Sequence, residues 1–168
     1  MDNRERGFSY MSEESKLDMR MDKTSSLTAK EVVNEYKEER LARIISEYGE
    51  EKFAKKIAKN ICEKRKIKEI ETTGELVDII RSSIPNKFSK DGHPAKRTFQ
   101  AIRIEVNNEI EPLYKTIMNS IKALNKNGRL CVITFHSLED RAVKRAFNDA
   151  VRTLYLSKRF TILRLRSC

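Results

Sequence analysis

The hexapeptide Leu130-Cys131-Val132-Ile133-Thr134-Phe135 restricts the possible folds more than any other part of the chain. It is almost unbroken in its apolar character and rich in β-branched side chains. The Asn127-Gly128 turn precedes it and a polar cluster follows. Such a run reads as a strand buried on both faces, as in a parallel sheet. A strand of that kind needs neighbouring strands and helices above and below it. No second convincing strand occurs in the 168 residues: Leu17–Asp22 alternates apolar and charged positions but is too short. The expectation is an incomplete α/β domain. Either further strands are hidden elsewhere or the chain is a fragment of a larger fold.

The remainder reads as helix. Residues 1–25 are polar, without a sustained period, and read as loop. Thr28-Ala29-Lys30-Glu31 and Thr72-Thr73-Gly74-Glu75 are capping boxes, each opening a helix. Leu41, Ile44, Ile45 and Tyr48 share a helical face that Gly49 should end. Phe53, Ile57 and Ile61 form the next stripe, and Leu76, Ile79 and Ile80 another, stopped at Pro85. Residues 22–85 therefore resemble a compact unit of about four helices. A loop over residues 86–93 leads to Phe99, Ile102, Val106 and Ile110, then to Leu113, Ile117, Ile121 and Leu124, both at helical spacing. Ser137 is placed as the cap of a last helix running through Phe147.

Several classes are excluded. No stretch approaches the roughly 20 apolar residues of a membrane span, and the first residues lack the apolar segment of a signal peptide. Cys62, Cys131 and Cys168 are too dispersed for a zinc clip or a disulfide framework, so a reducing, cytoplasmic setting is expected. His93 and His136, 43 positions apart without nearby cysteines, make no metal site. None of the five glycines forms GxGxxG or a P-loop, so the chain carries no nucleotide cradle of its own.

The net charge is +10, which favours polyanionic partners. Lys52, Lys55, Lys56 and Lys59 fall at i, i+3, i+4 and i+7, giving one helix a uniformly basic face. Like charges at that spacing repel by a few tenths of a kcal/mol per pair, a cost that RNA would relieve. Lys96, Arg97 and Arg103, on or near one helix, are further candidate phosphate contacts. A solvated surface is the plainer reading of each run.

Ligands in open α/β sheets bind at the carboxyl ends of strands. His136-Ser137-Leu138-Glu139-Asp140-Arg141 begins where the expected strand ends. A helix cap followed by first-turn acids explains Ser137, Glu139 and Asp140 and leaves His136 unexplained.

Several blocks together resemble the ribosomal RNA small subunit methyltransferase H (MraW) family. They are Arg4-Glu5-Arg6-Gly7-Phe8-Ser9-Tyr10, Leu17-Asp18-Met19-Arg20-Met21-Asp22, Leu27-Thr28-Ala29 with Val32-Val33-Asn34, and Tyr48-Gly49-Glu50-Glu51 with Phe53-Ala54. Glu71-Thr72-Thr73-Gly74-Glu75-Leu76, Gly92-His93-Pro94-Ala95-Lys96-Arg97-Thr98-Phe99-Gln100-Ala101 and Phe135-His136-Ser137-Leu138-Glu139-Asp140-Arg141 follow in family order. The blocks cover residues 2 to about 150 and are highly specific as a set.

The resemblance implies a class I, Rossmann-like methyltransferase core with an all-helical lobe inserted into it. Residues 1–22 and 93–150 would be core, residues 23–92 the insert, and residues 151–168 a divergent tail. It implies methyl transfer from S-adenosylmethionine to N4 of a cytidine in 16S rRNA of the small ribosomal subunit. The family's Gly-Gly-Gly-His loop and its acidic ribose partner would precede residue 1, so no cofactor-binding residue is assigned in this chain. His136, Glu139 and Asp140 are the catalytic candidates, as acceptors for the hydrogens of the cytosine amine. Arg152–Cys168 lacks the family's Cys-x-Cys-Pro segment. A one-base shift within a synonymous coding of Thr153–Phe160 regenerates Pro-Cys-Ile-Cys-Pro-Lys-Asp, so a reading-frame shift is the hypothesis for this tail, and genomic DNA tests it. The rival readings are a non-catalytic RNA-binding helical module and a decayed gene product.

Overall fold

A computed structural model describes residues 6–85 and 92–156, with side chains to Arg152. Residues 1–5, most of the expected 86–93 loop, and the tail from residue 157 on lie outside the described residues. Among the described residues seven helices follow one another: α1 (Ala29–Glu35), α2 (Glu38–Gly49), α3 (Ala54–Arg65), α4 (Thr73–Ser83), α5 (Lys96–Asn107), α6 (Ile110–Ala123) and α7 (Ser137–Leu156). They divide into two units, Met1–Asn107 and Asn108–Cys168.

In the first unit, α2 packs against α3 and α5, α3 also meets α4, and α1 touches α3 and α5. Both expected capping boxes form. Thr28 Oγ1 accepts the Glu31 N–H at 3.4 Å and Glu31 Oε2 accepts the Thr28 N–H at 2.5 Å. Thr72 Oγ1 and Glu75 Oε2 repeat the exchange at 3.3 and 3.2 Å. The core includes Val32, Leu41, Ile45, Ile57, Ile61, Leu76 and Ile80, each at 0% exposure. Each such side chain contributes about 1.5–3 kcal/mol of burial.

Residues 6–22 are irregular, as expected, yet they belong to this core. Leu17 and Met19 are 2% and 0% exposed. Side chains and a short pairing, rather than a repeating pattern, hold the segment. Leu17 N–H donates to Glu71 O at 3.1 Å, beside an isolated antiparallel bridge between Lys16 and Thr72. Arg20 grips Asp18 with Nε at 2.8 Å and a second nitrogen at 2.9 Å, and donates to Ser25 O at 2.8 Å. Its guanidinium holds the Asp18 carboxyl below the usual range. Phe99, Ile102 and Val106 of α5 join the same core. The break in packing falls between Asn107 and Asn108.

Gly49 marks the end of α2 for a reason other than the one the sequence suggested. The left-handed cap is Glu50, at φ 50°. A Cβ on Gly49 would stand 2.6 Å from the Arg97 carbonyl oxygen, so the glycine admits the α5 backbone.

The second unit is a pair of helices. Ile117 of α6 and Val143, Ala146 and Phe147 of α7 form its small core, with Leu113, Tyr114, Leu130 and Val132 packed against it. Tyr114 OH donates to Asp149 Oδ2 at 2.9 Å.

The expected doubly buried strand is not observed. Residues 129–134 carry no strand pairing, and Ile133 and Phe135 are 82% and 89% exposed. Exposure still alternates, with Leu130 and Val132 turned to the helices and Cys131, Ile133 and Phe135 turned outward. The period of two is present. Backbone N–H and C=O groups make a strand only where a neighbouring strand accepts them, and among the described residues none lies alongside. The described residues thus form a mostly helical structure, without the α/β core that the sequence implied. Among them, no helix is long and apolar enough to cross a membrane.

Candidate functional site

The start of α7 explains part of His136. The Asp140 N–H donates to the His136 carbonyl at 3.2 Å, so His136, not Ser137, occupies the cap position. The Glu139 N–H donates to His136 Nδ1 at 3.4 Å. The Glu139 carboxylate returns the contact, Oε2 accepting the Phe135 N–H at 2.7 Å. This is a reciprocal cap in which an imidazole takes the place of a hydroxyl.

The cap engages one end of each group and leaves the other. His136 Nε2 and Glu139 Oε1 face each other at 3.5 Å. Glu109, immediately before α6, brings a third ligand atom, all lying within 4.8 Å of one another. His136 and Glu139 are thus brought together, whereas Asp140 is drawn along the helix to Lys144, with Oδ2 at 2.8 Å from Nζ. Sequence reasoning missed Glu109. It precedes His136 by 27 residues, and only the packing of α6 on α7 brings the two together.

The basic candidates belong to the first unit. Lys52, Lys55, Lys56 and Lys59 are exposed at and along α3, opposite buried Ala54, Ile57, Ala58 and Ile61. Lys59 has Glu63 Oε1 at 3.8 Å. Lys96 and Arg97 are exposed at the start of α5, and Arg103 is half-buried. His93 lies between donors: Arg81 is 3.3 Å from Nε2, the Ala95 N–H reaches Nδ1 at 3.3 Å, and Tyr10 stacks on the ring at 4.4 Å. Burial, then the Arg81 charge, lowers its pKa.

Several residues that carry the family resemblance have structural work. Asn34 clamps Ile70 through both backbone groups, at 2.9 and 3.0 Å. Gly74, like Gly49, admits a backbone: its Cβ would meet Glu13 O at 2.8 Å.

Comparison with known proteins agrees with the resemblance these residues carry. A sequence profile described as the MraW methylase family matches residues 1–165. The chain is 60% identical over 149 residues to the ribosomal RNA small subunit methyltransferase H of Clostridium botulinum (strain 657 / Type Ba4), covering 89% of this chain and 48% of the relative. It is 56% identical over 163 residues to the protein of the same name from Acetivibrio thermocellus, covering 96% and 52%. The chain spans about half the length of the curated relatives it matches.

Proposed function

The chain belongs to the MraW methylase family, and on that premise we propose that it contributes the substrate side of an S-adenosylmethionine-dependent 16S rRNA (cytosine-N4) methyltransferase. The 60% identity to a ribosomal RNA small subunit methyltransferase H over 89% of the chain is the observation that carries this reading.

The exocyclic amine of cytosine is a weak nucleophile because its lone pair is delocalised into the ring. Transfer requires the amine to be held in line and its hydrogens to be accepted. The base must also leave its stack to be reached. Glu139 Oε1 and the Glu109 carboxylate are acceptors of the right kind, and His136 Nε2 is a third polar atom beside them. Asp140, bound to Lys144, is the weakest of the three sequence candidates. The described residues do not fit the cofactor: they include no glycine-rich turn between a strand and a helix. In the complete fold, residues 129–135 would be a strand of the Rossmann-like sheet, delivering His136 to its carboxyl end. The lysines of α3 would then track phosphates.

A second reading is favoured by the first unit's separate core: a helical module that binds RNA without catalysis. Calorimetry and a methylation assay on the 168-residue chain separate them. RNA binding that weakens with salt, with no heat on adding S-adenosylmethionine, is expected for this chain. Micromolar cofactor binding overturns the substrate-side assignment. Absence of RNA binding overturns both readings.

A further inference from the structure

Three half-buried side chains converge where α6 and α7 begin: Glu109, His136 and Glu139. The imidazole is the telling member. The His136 side chain is 11% exposed, and its Nε2 is wholly buried without a hydrogen-bond partner. Leaving such an atom unsatisfied costs about 1–3 kcal/mol. Glu139 Oε1 stands 3.5 Å from it. Both groups are held from behind, Nδ1 by the Glu139 N–H and Oε2 by the Phe135 N–H. Ligating imidazoles and carboxylates are commonly oriented by bonds to their far atoms in this way.

We propose that Glu109, His136 and Glu139 bind one divalent cation of borderline character, Mn²⁺ or Zn²⁺, through one imidazole nitrogen and two carboxylate oxygens. Water completes the shell. Imidazole favours first-row transition ions, whereas Mg²⁺ and Ca²⁺ take oxygen ligands. Bonds of about 2.0–2.2 Å require the donors to draw together by about 1 Å, within the reach of two glutamate side chains. With Nδ1 accepting an N–H, the ring proton sits on Nε2. Cation binding there moves that proton to Nδ1, at the expense of the 3.4 Å contact with the Glu139 N–H. The positive ends of two helices lie close by and weaken the binding of a cation there. The site stands on this geometry. Because Glu139 Oε2 is held by the Phe135 N–H, a bound cation takes the atoms named above as acceptors for the amine, and the two roles are alternatives.

The test is titration of the chelator-treated, full-length chain with MnCl₂, following free Mn²⁺ by electron paramagnetic resonance. Manganese is used first because the exposed thiol of Cys131 would compete for zinc. One saturable ion, displaced by Zn²⁺, is expected. Glu109→Gln and His136→Gln should each weaken binding at least about tenfold, and Glu111→Gln should leave it unchanged. Circular dichroism confirms that each variant folds, and Glu109→Gln decides alone if His136→Gln does not. No saturable binding, or binding that survives Glu109→Gln, overturns the site.

Discussion

Asn107 holds Met19 across the first unit: its side-chain amide donates to the Met19 carbonyl at 2.8 Å. The same amide donates to Arg103 O at 2.9 Å, while its oxygen accepts the Met21 N–H at 2.6 Å. Met19 sits at φ 58° with its side chain fully buried, so this bond secures a backbone turn that few side chains favour. Asn107→Asp removes both donated bonds and sets a carboxylate against two carbonyls. The expected loss is about 1–3 kcal/mol in urea unfolding.

Glu75 predicts a response to acid. The Lys68 ammonium and then the N–H groups of Glu71 and Thr72 hold its carboxyl down to about 2, from an ordinary 4.5. A lowered folded value means the contribution is complete above the unfolded value and disappears as pH falls from 4.5 toward 2. Glu75→Gln should flatten that part of the stability profile, and Thr72→Ala should cost about 1 kcal/mol at neutral pH. An acid titration in which Glu75→Gln and the parent chain run parallel would refute the assignment.

Gly49→Ala forces α2 and α5 apart, because the new methyl would meet the Arg97 carbonyl at 2.6 Å. Overpacking of this kind costs about 1–3 kcal/mol, read as a lower melting temperature. A variant of unchanged stability would show that α5 yields without cost.

The exposed face of the 129–135 segment should be indifferent to polarity in the isolated chain. Ile133→Ser and Phe135→Ser should shift its stability by less than about 0.5 kcal/mol, whereas Phe147→Ala, in the core of the second unit, costs about 3 kcal/mol. Under the proposed function, the two serine variants abolish activity in a complete enzyme, where the face is covered. A large loss in the isolated chain would mean that the face is already covered there.

For the basic helix, replacing Lys52, Lys55 and Lys56 by glutamine should weaken RNA binding. The salt slope should fall by about 0.7 for each phosphate of a single strand that these lysines neutralise. Unchanged slopes would place the RNA elsewhere.

Much of the first unit is legible in the sequence because its signals are local. Thr28 with Glu31, and Thr72 with Glu75, announce helix starts within four residues. Gly49 marks the right position but hides the cause, since the approach of Arg97 depends on a helix almost fifty residues later. The core role of Leu17 and Met19 is hidden because Arg20, Asn107 and Glu71 fix that segment, and none of these contacts leaves a periodicity. The Leu130–Phe135 run shows the limit from the other side. Its alternation survives, but hydrophobicity states that a face should be buried and not what buries it. Of the candidate site, His136 and Glu139 are visible as neighbours in sequence, and Glu109 is not.

The boundary at Asn107 also bears on synthesis. The residues that complete the first core are all joined before Asn108 is added. At about 5–20 residues per second, the second unit takes roughly 3 to 12 s more to translate. The first unit therefore has a core to collapse onto while the ribosome is still extending the chain. The exposed apolar edge at Ile133 and Phe135 is made only after that core, which shortens the time a nascent molecule presents it.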